Sequence, residues 1–173
     1  MEEKKIKAAV LYGIHDLRIE MIEAPEITED DDVIVKVMAC GVCPTDVRYY
    51  TGTSKSSEYP VVLGHEVAGE VVKTGKVAAR YLKEGQRVHI LPDWPCHVCD
   101  SCRVGLSDFI SIEMCDNVRG RLGASDDVVL KRCGGFSEYI KVPYDVAFPI
   151  DDNLSYEEAA VTEPLGSCLN AVE

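Results

Sequence analysis

Hydrophobic and polar residues alternate along most of this chain in short segments that are separated by turn residues. Residues 33–39 have the sequence Val-Ile-Val-Lys-Val-Met-Ala, so Val33, Val35 and Val37 fall on one face with the two-residue period of a strand. Comparable segments, rich in β-branched residues or bounded by turns, are residues 5–12, 16–22, 67–73, 86–91 and 136–142. Strands at this spacing predict a mainly β domain, folded as a barrel or a sandwich.

Helical signals are confined to two short regions. Residues 45–50 follow a proline and are predicted to form a short helix. The sequence Ser155-Tyr-Glu-Glu158 is a capping box, in which the Ser155 hydroxyl and the Glu158 carboxylate satisfy the free amides of a helix start. Pro164 is predicted to end this helix, and residues 165–172 to begin another. Residues 1–173 are therefore predicted to form one mainly β domain with short helices.

Composition narrows the classes of function. The 173 residues carry a formal net charge of −12, and an acidic surface repels phosphate backbones, so nucleic acid is not an expected partner. No secretory signal is visible and no apolar stretch reaches the roughly 18 residues that a membrane span needs, so no membrane association is expected. We therefore expect a cytoplasmic protein with reduced thiols. In that compartment, 8 cysteines indicate a metal before they indicate disulfides.

Four of the cysteines are close in sequence. Cys96, Cys99 and Cys102 form a C-x2-C-x2-C motif, and Cys115 follows after residues 103–114. Thiolates at two-residue gaps can surround one tetrahedral Zn²⁺, and a closed shell of four sulfurs leaves no position for a substrate. Residues 93–117 are therefore predicted to be a lobe that a structural zinc organises. Three alternatives stay open: cysteines packed in a small core, an iron–sulfur cluster, or His97 as a ligand, although solvent exposure suits His97 better.

A second set of metal-binding side chains is dispersed along the chain. Cys43 ends the sequence Cys40-Gly-Val-Cys43, His65 and Glu66 follow as neighbours, and Glu163 lies far downstream. Mixed sulfur, nitrogen and oxygen ligands with a free fourth position are typical of a catalytic zinc. Each residue alone is a weak signal, because a single histidine at a strand end is often structural and a C-x2-C pair can be a redox motif.

Taken together and in order, these motifs resemble those of a known family. The sequences C-G-V-C-P-T-D, G-H-E, C-x2-C-x2-C, G-G-F-S-E-Y and E-P-L occur along nearly the whole chain. The chain resembles the GroES-like catalytic domain of the medium-chain zinc-dependent alcohol dehydrogenases, and it is most similar to the sorbitol, threonine and glucose dehydrogenase branch. This resemblance implies a partly open β-barrel with a zinc-binding lobe.

The resemblance also implies a ligand set for the catalytic zinc. Cys43 and His65 would bind the metal, and Glu66 would either bind it or lie beside a ligand. Glu163 would bind the metal directly or through its water. Many simple alcohol dehydrogenases use a cysteine near this point, but the offset of Cys168 does not fit, so Glu163 is favoured.

Other positions follow the family in part. Thr45 would contact the substrate hydroxyl and pass on its proton, and Asp46 would orient a metal ligand. Arg48 stands where relatives often carry a histidine that relays the proton to solvent, so the relay is expected to use water or another route. The stretch between the third and fourth lobe cysteines is longer than usual, which leaves the fourth ligand open. Cys40 and Cys133 have no role in the family, and Cys40 is expected to be a small buried residue.

By resemblance, the chain is expected to be the catalytic domain of a zinc-dependent, NAD(P)-linked enzyme that oxidises the CH–OH group of an alcohol, polyol, sugar or threonine-like substrate. No G-x-G-x-x-G motif follows a strand, so the Rossmann domain that would bind NAD or NADP is expected to be absent, with residues 155–173 leading toward it. We therefore expect the 173-residue chain to bind zinc at two sites but to lack turnover of its own. The resemblance also allows a homo-oligomer.

Two other classes of function are alternatives. A non-catalytic zinc module would use the barrel and the lobe to bind a partner. A nucleic-acid-binding zinc ribbon would need a basic face, whereas the lobe sets Arg103, Arg119 and Arg121 against five acidic residues between positions 93 and 116.

Overall fold

The computed structural model of the chain describes residues 4–53, 59–105, 115, 117–123 and 134–172. The strands are β1 Lys5–Gly13, β2 Asp16–Glu23, β3 Asp32–Cys40, β4 Val61–Val62, β5 Val67–Thr74, β6 Arg87–Ile90, β7 Asp93–Trp94, β8 Gly120–Arg121, β9 Tyr139–Pro143 and β10 Ala147–Pro149. The helices are α1 Pro44–Thr51, α2 Asp100–Gly105, α3 Tyr156–Ala160 and α4 Thr162–Asn170, with 3₁₀ turns at Ala78–Arg80 and Tyr144–Val146.

The strands form two curved sheets and a small ribbon. One sheet has three strands in the order β2-β1-β4, the other has five in the order β10-β6-β5-β3-β9, and β7 pairs with β8. Every strand pair among the described residues is antiparallel, so this part of the chain contains no parallel sheet of the nucleotide-binding kind. The mainly β prediction is therefore confirmed.

Residues 136–138 join the two sheets. The Ala9 amide donates to the Phe136 carbonyl at 2.8 Å, and the Glu138 amide donates to the Lys7 carbonyl at 3.1 Å, both across to β1. The Val37 amide of β3 donates to the Glu138 carbonyl at 2.9 Å. Because these residues serve both sheets, β9 begins three residues later than the predicted strand 136–142, and the two sheets close into a partly open barrel.

One apolar core lies between the sheets. Ile6 and Val10 of β1, Val35 of β3, Val71 of β5 and Ile140 of β9 are fully buried in a single cluster. The alternation predicted for β3 is only partly present, because its first residues are buried in succession in a strand that has β5 and β9 on either side. Burial of this apolar surface is the main favourable contribution to the fold.

The two C-terminal helices correct one prediction. Ser155 caps α3 as predicted, with the Glu158 amide donating to the Ser155 hydroxyl at 3.1 Å and the Ser155 amide donating to the Glu158 carboxylate at 2.8 Å. The prediction that Pro164 ends this helix was wrong: α3 ends at Ala160, and Pro164 lies in the first turn of α4. A proline is tolerated there because the amides of a first turn have no partner within the helix.

Candidate metal centres

The four cysteines of the lobe converge on one point. The Sγ atoms of Cys96, Cys99, Cys102 and Cys115 all lie within 4.8 Å of one another. Cys96 and Cys102 Sγ are 3.9 Å apart, and Cys99 and Cys115 Sγ are 4.0 Å apart. A tetrahedral zinc with Zn–S bonds of about 2.3 Å separates its sulfurs by about 3.8 Å. The donor set therefore fits one ion at its centre and is too compact for a cluster in which each iron takes its own thiolate.

Backbone amides point at these sulfurs. The Cys99 amide donates to Cys96 Sγ at 3.4 Å, the Cys102 amide to Cys99 Sγ at 3.5 Å, and the Cys96 amide to Cys115 Sγ at 3.4 Å. The amides of Val98 and Cys99 lower the pKa of Cys96 to about 6. Amide donors stabilise thiolates, which is the form that binds a metal. Burial raises the pKa of the Cys102 thiol to about 12, so these amides favour the thiolate at Cys96 and not at every sulfur of the motif.

His97 is outside this cluster. Its Nε2 lies 2.7 Å from Asp145 Oδ2, and its backbone has a φ of 61°. Arg119 also pairs with the Asp145 carboxylate, and its Nε donates to the Pro95 carbonyl at 2.6 Å. The His97 side chain is 42% exposed, as expected, and it also ties the lobe to the 3₁₀ turn that precedes β10.

The second metal-binding group is assembled from two loops that leave the barrel. The chain exits β3 at Cys40, and Cys43 becomes the residue that precedes α1. His65 and Glu66 lie between β4 and β5. Ligand atoms of Cys43, His65 and Glu66 all lie within 4.8 Å of one another, so the structure brings together three of the four side chains predicted for this site.

Asp46 links the two loops. Its carboxylate is 4% exposed and accepts hydrogen bonds from the Cys43 amide at 2.8 Å and from the Gly64 amide at 3.2 Å. Oδ1 also lies 3.7 Å from His65 Nδ1, and this carboxylate raises the pKa of His65 to about 9. A carboxylate in this position can fix the orientation of a histidine ring, and that role of Asp46 stays a prediction.

The Glu66 carboxylate occupies space that a glycine leaves open. Glu66 is 8% exposed, and a Cβ added at Gly41 would lie 1.8 Å from Glu66 Oε2. The Gly41 amide donates to the Glu66 carbonyl at 2.9 Å, which holds the two segments together. Any larger residue at position 41 would displace the carboxylate from its place beside Cys43 and His65.

These residues line an open cleft of about 470 Å³. Thr45 lies in its wall with Oγ1 3.6 Å from Cys43 Sγ, and Tyr49 from the next turn of α1 lines it as well. Glu163 of α4 also lines this cleft, outside the compact group formed by Cys43 and its neighbours. The choice between Glu66 and Glu163 as the direct third ligand stays a prediction.

Sequence reasoning missed several residues of the cleft wall. Pro92, Asp93, Arg121, Leu122 and Gly123 come from the ribbon β7–β8 and its flanks, which are adjacent to the four-cysteine lobe in sequence. The Asp93 and Arg121 side chains form an ion pair. Their charges were visible in the sequence, but no spacing rule places them beside His65.

The remaining predicted positions lie elsewhere. Arg48 and Cys168 are exposed and do not line the cleft. Cys40 is partly buried against the core, and burial raises the pKa of its thiol to about 12, consistent with a small packing residue. Cys133 lies outside the described residues. Among the described residues, no helix combines the length and apolar character that a membrane crossing requires.

Comparison with known proteins supports the predicted resemblance. The chain is 36% identical over 171 residues to a sorbitol dehydrogenase of Bacillus subtilis, covering 97% of this chain and 45% of that protein. It is 39% identical over 170 residues to a sorbitol dehydrogenase of Bombyx mori, covering 95% of this chain and 44% of that protein. The chain thus spans a little under half the length of the relatives it matches.

Solved structures share the fold. A zinc-binding dehydrogenase from Sinorhizobium meliloti bound to NADP superposes with a TM-score of 0.80 at 35% identity, covering 98% of this chain and 45% of that one. The 2R,3R-butanediol dehydrogenase of Bacillus subtilis superposes with a TM-score of 0.74 at 34% identity, covering 92% and 44% of the two chains. The sequence model of the alcohol dehydrogenase GroES-like domain matches residues 29–152. Because this match spans well over half of its residues, the chain belongs to the alcohol dehydrogenase GroES-like domain family.

Proposed function

We propose that this chain is the metal-binding catalytic half of a zinc-dependent, NAD(P)-linked dehydrogenase that acts on the CH–OH group of an alcohol, polyol, sugar or threonine-like substrate. The observation that carries the proposal is the convergence of Cys43, His65 and Glu66 within 4.8 Å at an open cleft. A mixed ligand set beside solvent suits a metal that keeps a position for substrate. The four cysteines of the lobe, by contrast, would fill all four positions of a tetrahedral zinc, which suits a structural ion.

Different residues of the cleft have different roles in the proposed oxidation of an alcohol. When bound there, zinc supplies Lewis-acid polarisation of the substrate hydroxyl and the nicotinamide supplies the hydride acceptor. Thr45 Oγ1 stands beside Cys43, where it can take the proton that the substrate hydroxyl gives up. The buried Asp46 carboxylate holds His65 by its Nδ1 side, which leaves Nε2 as the nitrogen for the metal.

Two carboxylates are candidates for the oxygen ligand of the metal. Glu66 belongs to the compact group with Cys43 and His65, and Glu163 reaches the same cleft from α4. We propose that Glu66 is a direct ligand of the metal together with Cys43 and His65. Glu163 would bind the metal either directly or through a metal-bound water. Arg48 is exposed away from the cleft, so the proton leaves Thr45 by water.

The nicotinamide cofactor requires a fold that the described residues do not contain. All their sheets are antiparallel, whereas NAD and NADP bind at the edge of a parallel doubly wound sheet. We therefore expect the 173-residue polypeptide to bind zinc without alcohol-dependent reduction of NAD or NADP.

Cobalt substitution tests the cleft assignment without turnover, because Co²⁺ absorbs visible light in a way that reports its ligands. Titration of the cobalt-loaded chain with 2-butanol should change the absorption of the cleft ion. His65→Ala should abolish this response and leave the cobalt–thiolate absorption of the four-cysteine lobe intact. A chain that binds cobalt but responds to no alcohol would instead be a non-catalytic zinc module.

A further inference from the structure

An acid–base pair lines the same cleft as the candidate metal ligands. Asp93 of β7 and Arg121 of β8 are direct partners in the ladder of this two-stranded ribbon. Arg121 Nε donates to Asp93 Oδ1, and both residues line the cleft. The Arg121 side chain is 52% exposed and that of Asp93 is 18% exposed, so the pair is presented to whatever enters the cleft.

The ribbon is anchored at both ends. Asp93 and Trp94 lead within two residues into Cys96 of the four-cysteine lobe, and Trp94 is buried in the barrel core. On the other side, the Leu122 amide donates to the Pro92 carbonyl at 2.8 Å. The backbone that carries the pair is therefore fixed by the lobe and by the core.

A glycine then sets the ribbon against the metal site. Gly123 has a φ of 70°, and a Cβ added there would lie 3.2 Å from the carbonyl oxygen of Gly64, the residue before His65. This close approach holds Arg121 next to the loop that carries His65 and Glu66. Because the pair and the Cys43–His65–Glu66 group line one cleft, a substrate whose reacting hydroxyl lies at the metal can contact the pair with its other atoms.

The chemistry of the pair selects hydroxyl groups over other neighbours. A hydroxyl both donates and accepts, and Asp93 and Arg121 offer acceptors and donors side by side. An unpaired arginine would favour an anion, but the Asp93 carboxylate offsets the charge of Arg121. An apolar group placed here would strip water from both charges without replacing its hydrogen bonds.

We propose that the Asp93–Arg121 pair is a second hydroxyl-recognition site, which makes the cleft select neutral substrates with several hydroxyls over monohydric alcohols. This inference rests on the proposed function, because it places the reacting hydroxyl at the Cys43–His65–Glu66 group. Asp93 and Arg121 act as specificity-determining residues: they bind a hydroxyl beside the reacting one and leave the chemistry at the metal unchanged.

The test measures the dissociation constants of a polyol and of a monohydric alcohol for the cobalt-loaded chain. Binding is detected by the change in visible absorption of the cobalt ion in the cleft. Xylitol should bind the wild-type chain roughly tenfold more tightly than it binds Arg121→Leu, since hydrogen bonds to charged groups are lost. The dissociation constant of 2-butanol should be the same for both. Arg80→Leu, an exposed arginine on a 3₁₀ turn that does not line the cleft, is the matched control and should change neither value.

Each other outcome has a distinct meaning. Unchanged cobalt–thiolate absorption would verify that Arg121→Leu keeps the lobe folded. Arg121→Lys keeps the charge but loses the planar guanidinium, so it should bind xylitol with intermediate affinity. Equal effects of Arg121→Leu on xylitol and 2-butanol would overturn the second site alone. Tighter binding of xylonate than of xylitol that is lost in Arg121→Leu would show an anion site at this arginine and overturn the hydroxyl assignment. A wild-type chain that responds to neither alcohol would overturn the proposed function and this inference with it.

Discussion

Asp46 and Gly41 hold the candidate metal ligands of the cleft in place. Asp46 accepts amide hydrogen bonds from both loops of the site and faces His65, so one buried carboxylate sets the relative position of two metal ligands. Gly41 contributes by having no side chain, because the Glu66 carboxylate lies where its Cβ would be. The site therefore depends on residues that a list of metal ligands would omit.

Substitution at Gly41 should weaken the metal site more than the fold. In Gly41→Ala the new Cβ displaces the Glu66 carboxylate, which is the flexible end of a side chain, so the backbone can stay in place. Zinc affinity at the cleft should fall by about tenfold to a hundredfold, as for other residues that support a ligand. Competition with a chromophoric chelator measures this affinity.

Gly13→Ala is the matched control, because a Cβ at Gly13 would meet nothing within 4 Å. It should leave the zinc affinity unchanged. If Gly41→Ala and Gly13→Ala bind zinc equally well, the position of Glu66 does not matter for the site.

The candidate metal ligands were predictable from the sequence, but the other residues of the cleft wall were not. Cys43, His65 and the lobe cysteines were predictable because metal ligands are few residue types at characteristic spacings. Asp93 and Arg121 were not predictable, because their place in the cleft depends on how the ribbon packs against the loop before His65. Such proximity is set by tertiary packing and leaves no periodic mark in the sequence.

Among the elements, the segment between β10 and α3 receives several hydrogen bonds from one side chain. Arg87 of β6 donates to the carbonyls of Asp151 at 3.2 Å, of Asp152 at 3.0 Å and of Leu154, and its guanidinium lies 4.4 Å from the centre of the Tyr156 ring. This contact places α3, whose buried alanines pack against Ala68 of β5. Because α4 follows α3 directly, Arg87 also sets where Glu163 enters the cleft.

Arg87→Lys should therefore destabilise the fold although it keeps the positive charge. A lysine cannot reach three carbonyls with a planar fork, so the free energy of unfolding should fall by about 1–3 kcal/mol. Urea unfolding at a fixed zinc concentration measures this loss. Arg80→Lys, on the exposed 3₁₀ turn, should stay within about 0.5 kcal/mol of wild type. An equally small effect for Arg87→Lys would show that the three carbonyls are satisfied without it.

The elements themselves were largely predictable, and the errors have physical causes. Short segments rich in β-branched residues or bounded by turns identified the long strands, although β1 alternates between buried and exposed residues and β3 begins with buried residues in succession. The start of β9 was misplaced because residues 136–138 bond to two sheets, and the helix break was misplaced because a proline is compatible with a first helical turn. The short strands of the β7–β8 ribbon carry too few residues to show any period.

At the scale of the whole molecule, we expect the barrel to fold on its own apolar core and the lobe to depend on its metal. The barrel has one continuous apolar core from both sheets. In the lobe, four cysteine sulfurs lie close together, and Trp94 and Leu122 beside it are buried in the barrel core. In the proposed assignment, a structural zinc in such a lobe would contribute directly to folding, whereas a zinc in the cleft would bind to loops that the barrel already holds.

The most direct test of this division is the zinc content and thermal stability of Cys43→Ser and Cys99→Ser beside the wild-type chain. We predict two zinc ions in the wild type, matching the two ligand groups, and one in Cys43→Ser with the melting temperature nearly unchanged. Cys99→Ser should lose the lobe zinc and about 5 °C or more of melting temperature, since roughly 1 kcal/mol corresponds to several degrees in a domain of this size. Two zinc ions retained in Cys43→Ser, or equal destabilisation by both substitutions, would contradict the assignment of a catalytic and a structural site.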